Sequence, residues 1–487
     1  MVRTKNLPGR IAVLIFFIIL SAIIVYKGIY VPITHDEKSA SVHYPTFSVW
    51  QIMMYPDCWP SNHILNSLSI KLSESIFGIE PWSVRLPNML AFLFFFGVMY
   101  SIAVRYFNAS SFLFCLPFAV VFCNPFLLDF FGLARGYGMS NALMAGSVYC
   151  ILRYASTLHL RWYFFAIILS MLAAYANFTL LIYWVGLHAT LMLMLISGYD
   201  KNKLPISKII YVLVFTALLA IGFLALCYQP ISKMQSTNQF VYWAKTSFFT
   251  DTILDQVSRF RYGVRYFGIP TSYVAYVLIA LLTGIGIYII WKIRKLKWTA
   301  VNDPLVVLFT LLMLVWGVNM TQTIILGTPY LSGRTALSYY VLFSLMLIFL
   351  IRDMSLGVNW VRRVMVPLIV IMYCIHLCFA VNLRSVNEWW YDANTYQVID
   401  YLQHYQKEHP DKKIIELNTN WLFNPSFGFY TSAGKVPWLR LTEIHTNIDT
   451  TSNTLFYYAT NDDAVLLREY RTVMDFDYGT RRLMIRK

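Results

Sequence analysis

The sequence is poor in charge, acidic residues and cysteine. Only 13% of its 487 residues are charged, against roughly 25% in an average soluble domain, and Asp and Glu together number 24. Of the seven cysteines, only Cys58 falls in a segment predicted to lie between apolar spans on the outer side, so a disulfide scaffold is excluded. A soluble multidomain protein, a disordered chain and a collagen-like chain are excluded by the same composition.

Apolar residues make up 58% of the chain, and long apolar runs recur from residue 11 to residue 381. Runs of about 20 apolar residues predict transmembrane helices. The net charge of +15 raises nucleic-acid binding as a function, but the basic residues stand between the apolar runs. That placement is typical of membrane orientation and not of a basic binding stripe. The sequence therefore predicts an integral membrane protein that does not bind nucleic acid.

The apolar runs predict about eleven transmembrane helices. They span residues 11–31, 86–104, 112–131, 138–155, 162–177, 179–197, 208–228, 272–291, 303–325, 335–351 and 362–381. Alternate connecting segments are rich in Lys and Arg, and the positive-inside rule places these segments in the cytoplasm. Their basic residues are Arg3, Lys5, Arg10, Arg105, Arg153, Arg161, Lys201, Lys203, Lys208, Lys292, Arg294, Lys295, Lys297, Arg352, Arg362 and Arg363. The N-terminus is then cytoplasmic and the C-terminus extracytoplasmic.

Two predicted outer segments, 32–85 and 229–270, are too long to be simple turns. Both mix aromatic and polar residues, which suits helices that lie in the membrane interface. The first apolar run could be read as a cleavable signal, but it is long for one and no small-residue cleavage site follows it. We therefore retain it as a transmembrane helix.

Beyond residue 382 the composition changes to that of a soluble domain, so the chain divides into a membrane domain (1–382) and an extracytoplasmic domain (383–487). The second domain reads as α/β. Helices are predicted at 393–407 and 423–430, and strands at 414–417, 436–441, 455–458 and 483–485. It contains no glycine-rich phosphate loop and no metal-ligand motif. Its role is to cover a cavity, to orient an acceptor, or only to pack against the membrane domain.

Charge at a membrane boundary is costly unless it is solvated or paired, so the outer helix ends are where functional charge is sought. Asp36 and Glu37 directly follow the first span. One interpretation is a solvated helix end. The other is a carboxylate at the mouth of a cavity, which accepts a proton from a hydroxyl or binds a cation.

Three further outer ends carry polar side chains in apolar or glycine-rich surroundings. They are Asn62 and His63 with Arg85, Arg135 with Tyr137, and Tyr330 with Arg334. Each could be an ordinary interfacial residue, since arginine and histidine also anchor helices at the membrane surface. Together on one side of the membrane with two acids, they indicate an anionic, lipid-linked substrate that enters from the bilayer.

On these four places the sequence resembles the GT-C superfamily of integral-membrane glycosyltransferases. The resemblance is to its bacterial branch, akin to protein O-mannosyltransferases and to the aminoarabinose transferases of lipid A. It covers residues of about 10 to 380. Where many relatives have a histidine followed by two prolines, this chain has His63 followed by Ile64 and Leu65.

The resemblance implies roles for these residues. It makes Asp36 the residue that activates the acceptor and Glu37 a supporting group that positions a ligand or cation. It makes Arg135 and Arg334 the main contacts to the donor phosphate. Five further substrate-site candidates stand in the same motifs: Arg85 and His63 for the phosphate, and Asn62, Tyr137 and Tyr330 nearby. No cofactor is assigned, and a divalent cation is left open.

The implied reaction is transfer of a hexosyl or pentosyl group from a polyprenyl-phosphate-linked donor to a hydroxyl acceptor on a lipid, glycan or protein. It takes place on the extracytoplasmic face of a bacterial inner membrane, with inversion at the anomeric carbon. The rival interpretation is a transporter or flippase for a lipid-linked or anionic solute. A glycan-binding sensor anchored by the spans is a further alternative.

Overall fold

The computed structural model describes residues 6–200, 205–239, 247–442, 453–460, 464–476, 478 and 480–487. Four of the basic residues assigned above to inner segments, Arg3, Lys5, Lys201 and Lys203, lie outside these described residues.

The described residues form seventeen α-helices. They are α1 (Leu7–Tyr30), α2 (Val49–Met53), α3 (Ile64–Phe77), α4 (Pro81–Tyr106), α5 (Ser111–Phe122), α6 (Pro125–Asp129), α7 (Tyr137–Thr157), α8 (Leu160–Ala176), α9 (Leu181–Asp200), α10 (Ile206–Ser236), α11 (Asp255–Arg261), α12 (Thr271–Leu296), α13 (Pro304–Leu326), α14 (Leu337–Gly357), α15 (Val366–Ala380), α16 (Thr395–Glu408) and α17 (Asn424–Ser432). Each of the eleven predicted apolar segments is helical. Within the described ranges, eight helical segments are long and apolar enough to cross a membrane, and α5 and α8 are shorter apolar helices. The predicted polytopic helical membrane fold is confirmed.

The prediction of one unbroken helix over 112–131 is wrong, because the chain breaks between α5 and α6. Asn124 precedes Pro125, and a residue before proline disfavours the helical conformation. The Asn124 side-chain oxygen instead accepts hydrogen bonds from the backbone N–H of Phe126 at 3.0 Å and of Leu127 at 3.3 Å. A new helix therefore starts at Pro125 and ends at Asp129.

Segments predicted to be cytoplasmic meet at one end of the helix bundle. Arg105, in the last turn of α4, donates to the Ser156 hydroxyl at 3.2 Å, and Arg352 donates to the backbone oxygen of Tyr106 at 2.8 Å. Lys292, near the end of α12, pairs with Asp303 at 2.8 Å. These three basic residues thus lie near the ends of α4, α12 and α14, whereas the loop after α1 is bonded to Arg85 near the start of α4.

The direction of this bundle across the membrane is tested by labelling single cysteines in a cysteine-free background. We expect an impermeant thiol reagent applied to intact cells to label native Cys58 and an engineered Asp411→Cys. An engineered Thr299→Cys, between α12 and α13, serves as the inner control and should react only after the membrane is permeabilised. Protection of the first two sites together with labelling of the third would reverse the predicted orientation.

The first outer loop contains α2 and α3, in the segment for which interfacial helices were predicted. Apolar side chains on these helices are exposed, including Trp50 at 64% and Ile76 at 63% of their surface. An exposed apolar face on a short helix outside the bundle is typical of a helix that lies on the membrane surface.

The C-terminal part is a five-stranded sheet with two helices. Its strands are β1 (Ile415–Thr419), β2 (Leu439–Leu441), β3 (Phe456–Thr460), β4 (Tyr470–Phe476) and β5 (Arg481–Arg486). They lie in the order β2-β1-β3-β5-β4. The pairs of β1 with β2 and β3 are parallel, and β5 is antiparallel to both β3 and β4. The predicted α/β domain is confirmed, although β2 is shorter than the strand predicted over 436–441 and β4 was not predicted.

The hydrophobic core of this sheet continues into the first outer loop. Ile33 and Ala40, just after α1, are buried in one cluster with Phe427 and the inner face of β1. The Ile33 backbone N–H donates to the Tyr430 hydroxyl at 2.9 Å, and the Ser426 hydroxyl donates to the Ile33 oxygen at 2.6 Å. The C-terminal part is therefore fastened to the loop that carries the acid pair. The division at residue 382 stays a prediction.

Candidate active site

Asp36 lies between two arginines, just beyond the C-terminal end of α1. Its Oδ2 accepts a hydrogen bond from Nη2 of Arg334 at 3.0 Å and forms an ion pair with Nη2 of Arg135 at 3.4 Å. The three residues come from the loop after α1, the turn before α7 and the turn before α14. The Asp36 side chain keeps 20% of its surface exposed. The fold thus brings together three of the predicted site residues.

Arg135 is held by the backbone of the two loops that meet around Asp36. Its Nη1 donates to the backbone oxygens of Asp36 at 3.2 Å and Ser61 at 3.4 Å, and its Nε has no hydrogen-bond partner in the described structure. The next residue, Gly136, is forced to be glycine because a Cβ there would overlap the backbone oxygen of Ala176. The guanidinium is almost fully buried yet keeps one unused donor.

Arg334 is more exposed to solvent than Arg135. Its side chain is 28% exposed, whereas that of Arg135 is 3% exposed. Its Nε donates to the Tyr137 hydroxyl at 3.2 Å, and its guanidinium lies 5.0 Å from the ring centroid of Trp389. Tyr137 therefore sits between the two arginines, as it also lies 5.9 Å from the Arg135 guanidinium.

The charges around Asp36 set its protonation. Burial favours the neutral acid, but the positive charges of Arg334 and Arg135 outweigh burial and lower the pKa of Asp36 to about 2. The carboxylate is therefore ionised throughout the physiological pH range.

Glu37, next in sequence, has a different environment. Its side chain is fully buried and makes a two-point ion pair with Arg85, from Nε to Oε1 at 2.8 Å and from Nη2 to Oε2 at 2.7 Å. It also accepts from the backbone N–H of Thr34 at 2.9 Å and of Ala134 at 2.6 Å. Its oxygens are occupied by protein donors and face away from Asp36's arginines.

The remaining N–H donors of Arg85 bond backbone carbonyl oxygens at the C-terminal end of α1. Its Nη1 donates to the oxygens of Lys27 at 3.3 Å, Gly28 at 3.2 Å and Val31 at 2.7 Å, and its Nη2 donates to Pro32 at 2.8 Å. These carbonyls belong to the last turn of the helix and its exit, which lack partners within the helix. The geometry favours a structural role for Arg85 over the phosphate contact implied by the resemblance.

His63 lies close enough to Arg135, Arg334 and Asp36 to interact with their charges. Its ring packs edge-on against Tyr137 at 4.9 Å, it is 94% buried, and its Nε2 has no partner among the described residues. Burial, together with the charges of Arg135 and Arg334, holds the pKa of His63 well below its usual range. The imidazole is therefore neutral and can serve as an uncharged polar contact.

The other two predicted residues differ in their distance from this centre. Asn62 shapes the outer loop, since its Nδ2 donates to the Ile52 oxygen at 3.1 Å and its Oδ1 accepts from Ser67 at 2.9 Å. Tyr330 packs against Phe248, with ring centroids 5.8 Å apart. The structure shows no contact of either side chain with Asp36 among the residues it describes.

Two residues that the sequence did not single out complete the charge network. Glu388, in the segment between α15 and α16, accepts from Arg334 Nη1 at 2.9 Å and from Arg259 Nη1 at 2.7 Å. Arg259, on α11, also pairs with Asp255 at 3.4 Å. Neither residue lies in one of the four places that carried the resemblance, so the sequence did not mark it. Arginines and carboxylates therefore alternate across the site as Arg135, Asp36, Arg334, Glu388 and Arg259.

A buried ion pair ties the segments that carry these residues to the bundle. Lys27, in the last turn of α1, is bonded to Asp129 at the end of α6, and both side chains are at most 5% exposed. Asp129 also accepts from the Tyr262 hydroxyl at 2.6 Å and from the backbone N–H of Asn387 at 3.0 Å. The backbone next to Arg259 and Glu388 is thereby fixed to the membrane helices.

The residues present do not fit a preformed metal centre. In the ranges that the structure describes, no group of three or more histidine, cysteine, aspartate or glutamate side chains could hold a metal ion. Asp36, Glu37 and Glu388 are each bonded to arginine instead. The chemistry of the site is that of fixed positive charge with one partly exposed carboxylate.

The fold and the site define a polytopic helical membrane protein with a network of arginines and carboxylates at one end of its helices. No protein-family model and no curated protein matches the chain. Two solved structures of ArnT from Cupriavidus metallidurans, one bound to undecaprenyl phosphate and one in the apo state, match 97% of this chain and 97% of their own at 10% identity. Their TM-scores are 0.41 and 0.42.

ArnT is a lipid A aminoarabinose transferase, a GT-C glycosyltransferase.

Proposed function

We propose that the protein transfers a sugar from a polyprenyl-phosphate-linked donor to a hydroxyl acceptor at the outer face of a bacterial inner membrane. The observation that carries the proposal is the Asp36 carboxylate held between Arg135 and Arg334, at the end of the bundle opposite its basic loops. Fixed cations next to a partly exposed carboxylate supply the two things that such a transfer needs.

The reaction makes one bond and breaks one bond at the anomeric carbon. The acceptor oxygen bonds to that carbon from one side while the bond to the phosphate oxygen breaks on the other, so the configuration inverts. The departing phosphate needs no proton, only positive charge where its negative charge grows, and arginines supply that. The acceptor proton passes to Asp36, a carboxylate within the same cluster.

Donor binding prepares Asp36 for this step. With both arginines directed at it, the pKa of Asp36 is about 2, which makes the carboxylate a weak base. A donor phosphate that draws Arg334 towards itself weakens the hold of that guanidinium on Asp36 and so raises the basicity of Asp36. The order in which donor binds first and acceptor is activated second follows from this coupling.

The remaining predicted residues support the same site. Tyr137 and the neutral His63 set the position of Arg135, while Glu37 and Arg85 fix the loop after α1 on which Asp36 stands. We assign to Asn62 the role of shaping the loop that follows α1. We assign to Tyr330, which packs against Phe248, the role of supporting the turn that carries Arg334. The C-terminal domain covers the site and contributes Glu388 to it.

The phosphate contacts are tested by binding of undecaprenyl phosphate to the purified protein. We expect Arg334→Ala to weaken binding by about ten- to a hundredfold, because a hydrogen bond to a charged group is worth roughly 1.5–3 kcal/mol. Arg334→Lys keeps the charge but loses the planar fork, so its loss should be smaller. Arg135→Ala should also weaken binding, through loss of the buried cation.

The matched control is Arg471→Ala, on β4 of the C-terminal sheet, where the side chain is exposed. It should bind as the wild type does. Unchanged affinity in both the Arg334 and Arg135 alanine variants would mean that these residues only anchor the helices, and the proposal would be withdrawn.

A further inference from the structure

Glu388 joins two arginines from distant parts of the chain. One carboxylate oxygen accepts from Arg334 at 2.9 Å and the other accepts from Arg259 at 2.7 Å. Each guanidinium thus has one oxygen of the same anion. A phosphate bound between them would present two oxygens in the same way, and guanidinium groups favour both kinds of anion.

The Glu388 carboxylate can move away from the two arginines while the backbone segment that carries it stays folded. The Glu388 side chain is 16% exposed, and the backbone N–H of the preceding Asn387 is fixed separately to Asp129 at 3.0 Å. Rotation of the Glu388 side chain alone would open the gap between the two guanidinium groups. Asp36 keeps its own place on the other side of Arg334.

We infer that Glu388 is an internal anion that occupies the phosphate place between Arg334 and Arg259, and that the donor phosphate displaces it. The inference rests on the proposed function and deepens it by naming the residue that sets affinity for the lipid phosphate. After transfer, the freed polyprenyl phosphate carries about −1.5 to −2 charge and would bind these arginines tightly. Return of Glu388 to the arginines competes with this product and promotes its release.

The test compares binding of undecaprenyl phosphate to full-length wild type, Glu388→Gln, Arg334→Ala and Glu416→Gln. Glu416, on β1, is the matched control because it is also a glutamate paired with an arginine, Arg440 at 3.5 Å, but its side chain is 46% exposed. Undecaprenol, which lacks the phosphate, reports binding through the lipid tail alone.

We expect Glu388→Gln to bind undecaprenyl phosphate about tenfold more tightly. If the Glu388 carboxylate occupies the phosphate place about nine-tenths of the time, only about one-tenth of wild-type molecules can accept a phosphate, and the apparent affinity falls about tenfold. Glu416→Gln should match the wild type. In turnover, Glu388→Gln should lower KM and kcat together, because product leaves more slowly. A merely structural tether would not give tighter binding.

The outcomes distinguish a failure of the role inferred for Glu388 from a failure of the proposed function. If Arg334→Ala weakens binding while Glu388→Gln binds no more tightly than the wild type, Glu388 is only a tether and the proposed function stands. If neither wild type nor Glu388→Gln binds undecaprenyl phosphate better than undecaprenol, there is no phosphate place and both proposals fall.

Discussion

Replacement of Asp36 by asparagine should lower sugar transfer by about a hundredfold or more, because a positioned proton acceptor contributes about 10²–10⁴ to rate. The fold should survive, since the Asp36 side chain is 20% exposed and an amide oxygen can still face the two arginines. The measurement is the amount of glycosylated product, found by mass spectrometry of envelope lipids, glycans and proteins, in a deletion strain that expresses each variant. Undecaprenyl phosphate should bind the variant at least as well as the wild type, because a competing anion is removed.

Asp400→Asn, on α16, serves as the control, as that carboxylate is 71% exposed and lies outside the site. The pKa of about 2 adds a second check on the free enzyme: a loss of kcat/KM between pH 6 and pH 4 would have to come from another group, since Asp36 stays ionised there until the donor binds. Transfer by Asp36→Asn at near the wild-type level would reject its role as the base.

Replacement of Glu37 by glutamine should instead destabilise the whole protein. The change leaves the fully buried Arg85 without its counter-ion and places an amide N–H₂ against N–H donors of Arg85, Thr34 or Ala134. Breaking a buried pair by removal of one partner costs about 3–5 kcal/mol. We expect a large fall in the midpoint of thermal unfolding in detergent and a poor yield of monodisperse protein.

The double variant Glu37→Leu with Arg85→Met tests the cause. Apolar replacement of both partners removes the unpaired buried charge, but it also removes the side-chain partners of several backbone groups, so the double variant should recover only part of the stability that Glu37→Gln loses. A single Glu37→Gln variant as stable as the wild type would show that the pair does not hold the loop.

The membrane architecture could be predicted because apolar length and basic loops act locally along the chain. The break before Pro125 was missed although Asn124 and Pro125 carried the signal for it. Strand β4 was missed because it is an edge strand: it pairs only with β5, and Arg471 and Asp475 interrupt its apolar pattern.

The two adjacent acids show the limit of sequence reasoning for the site. Asp36 and Glu37 stand one residue apart and could not be told apart by composition. The fold separates them, since Asp36 pairs with Arg334, 298 residues away, and Glu37 pairs with Arg85, 48 residues away. Arg259 and Glu388 were missed for the same reason, as the ion pair between them joins residues 129 positions apart in the sequence.

The shared core of the C-terminal sheet and the first outer loop has a consequence for biosynthesis. Ile33 leaves the ribosome 397 residues before its hydrogen-bond partner Tyr430. At about 5–20 residues per second, the loop waits roughly 20–80 s for the sheet that covers it. Arg85 is synthesised soon after Glu37, so during that interval it can already pair with Glu37 and fix the loop. The nascent membrane domain therefore keeps Asp36 at its surface until the C-terminal sheet has been synthesised.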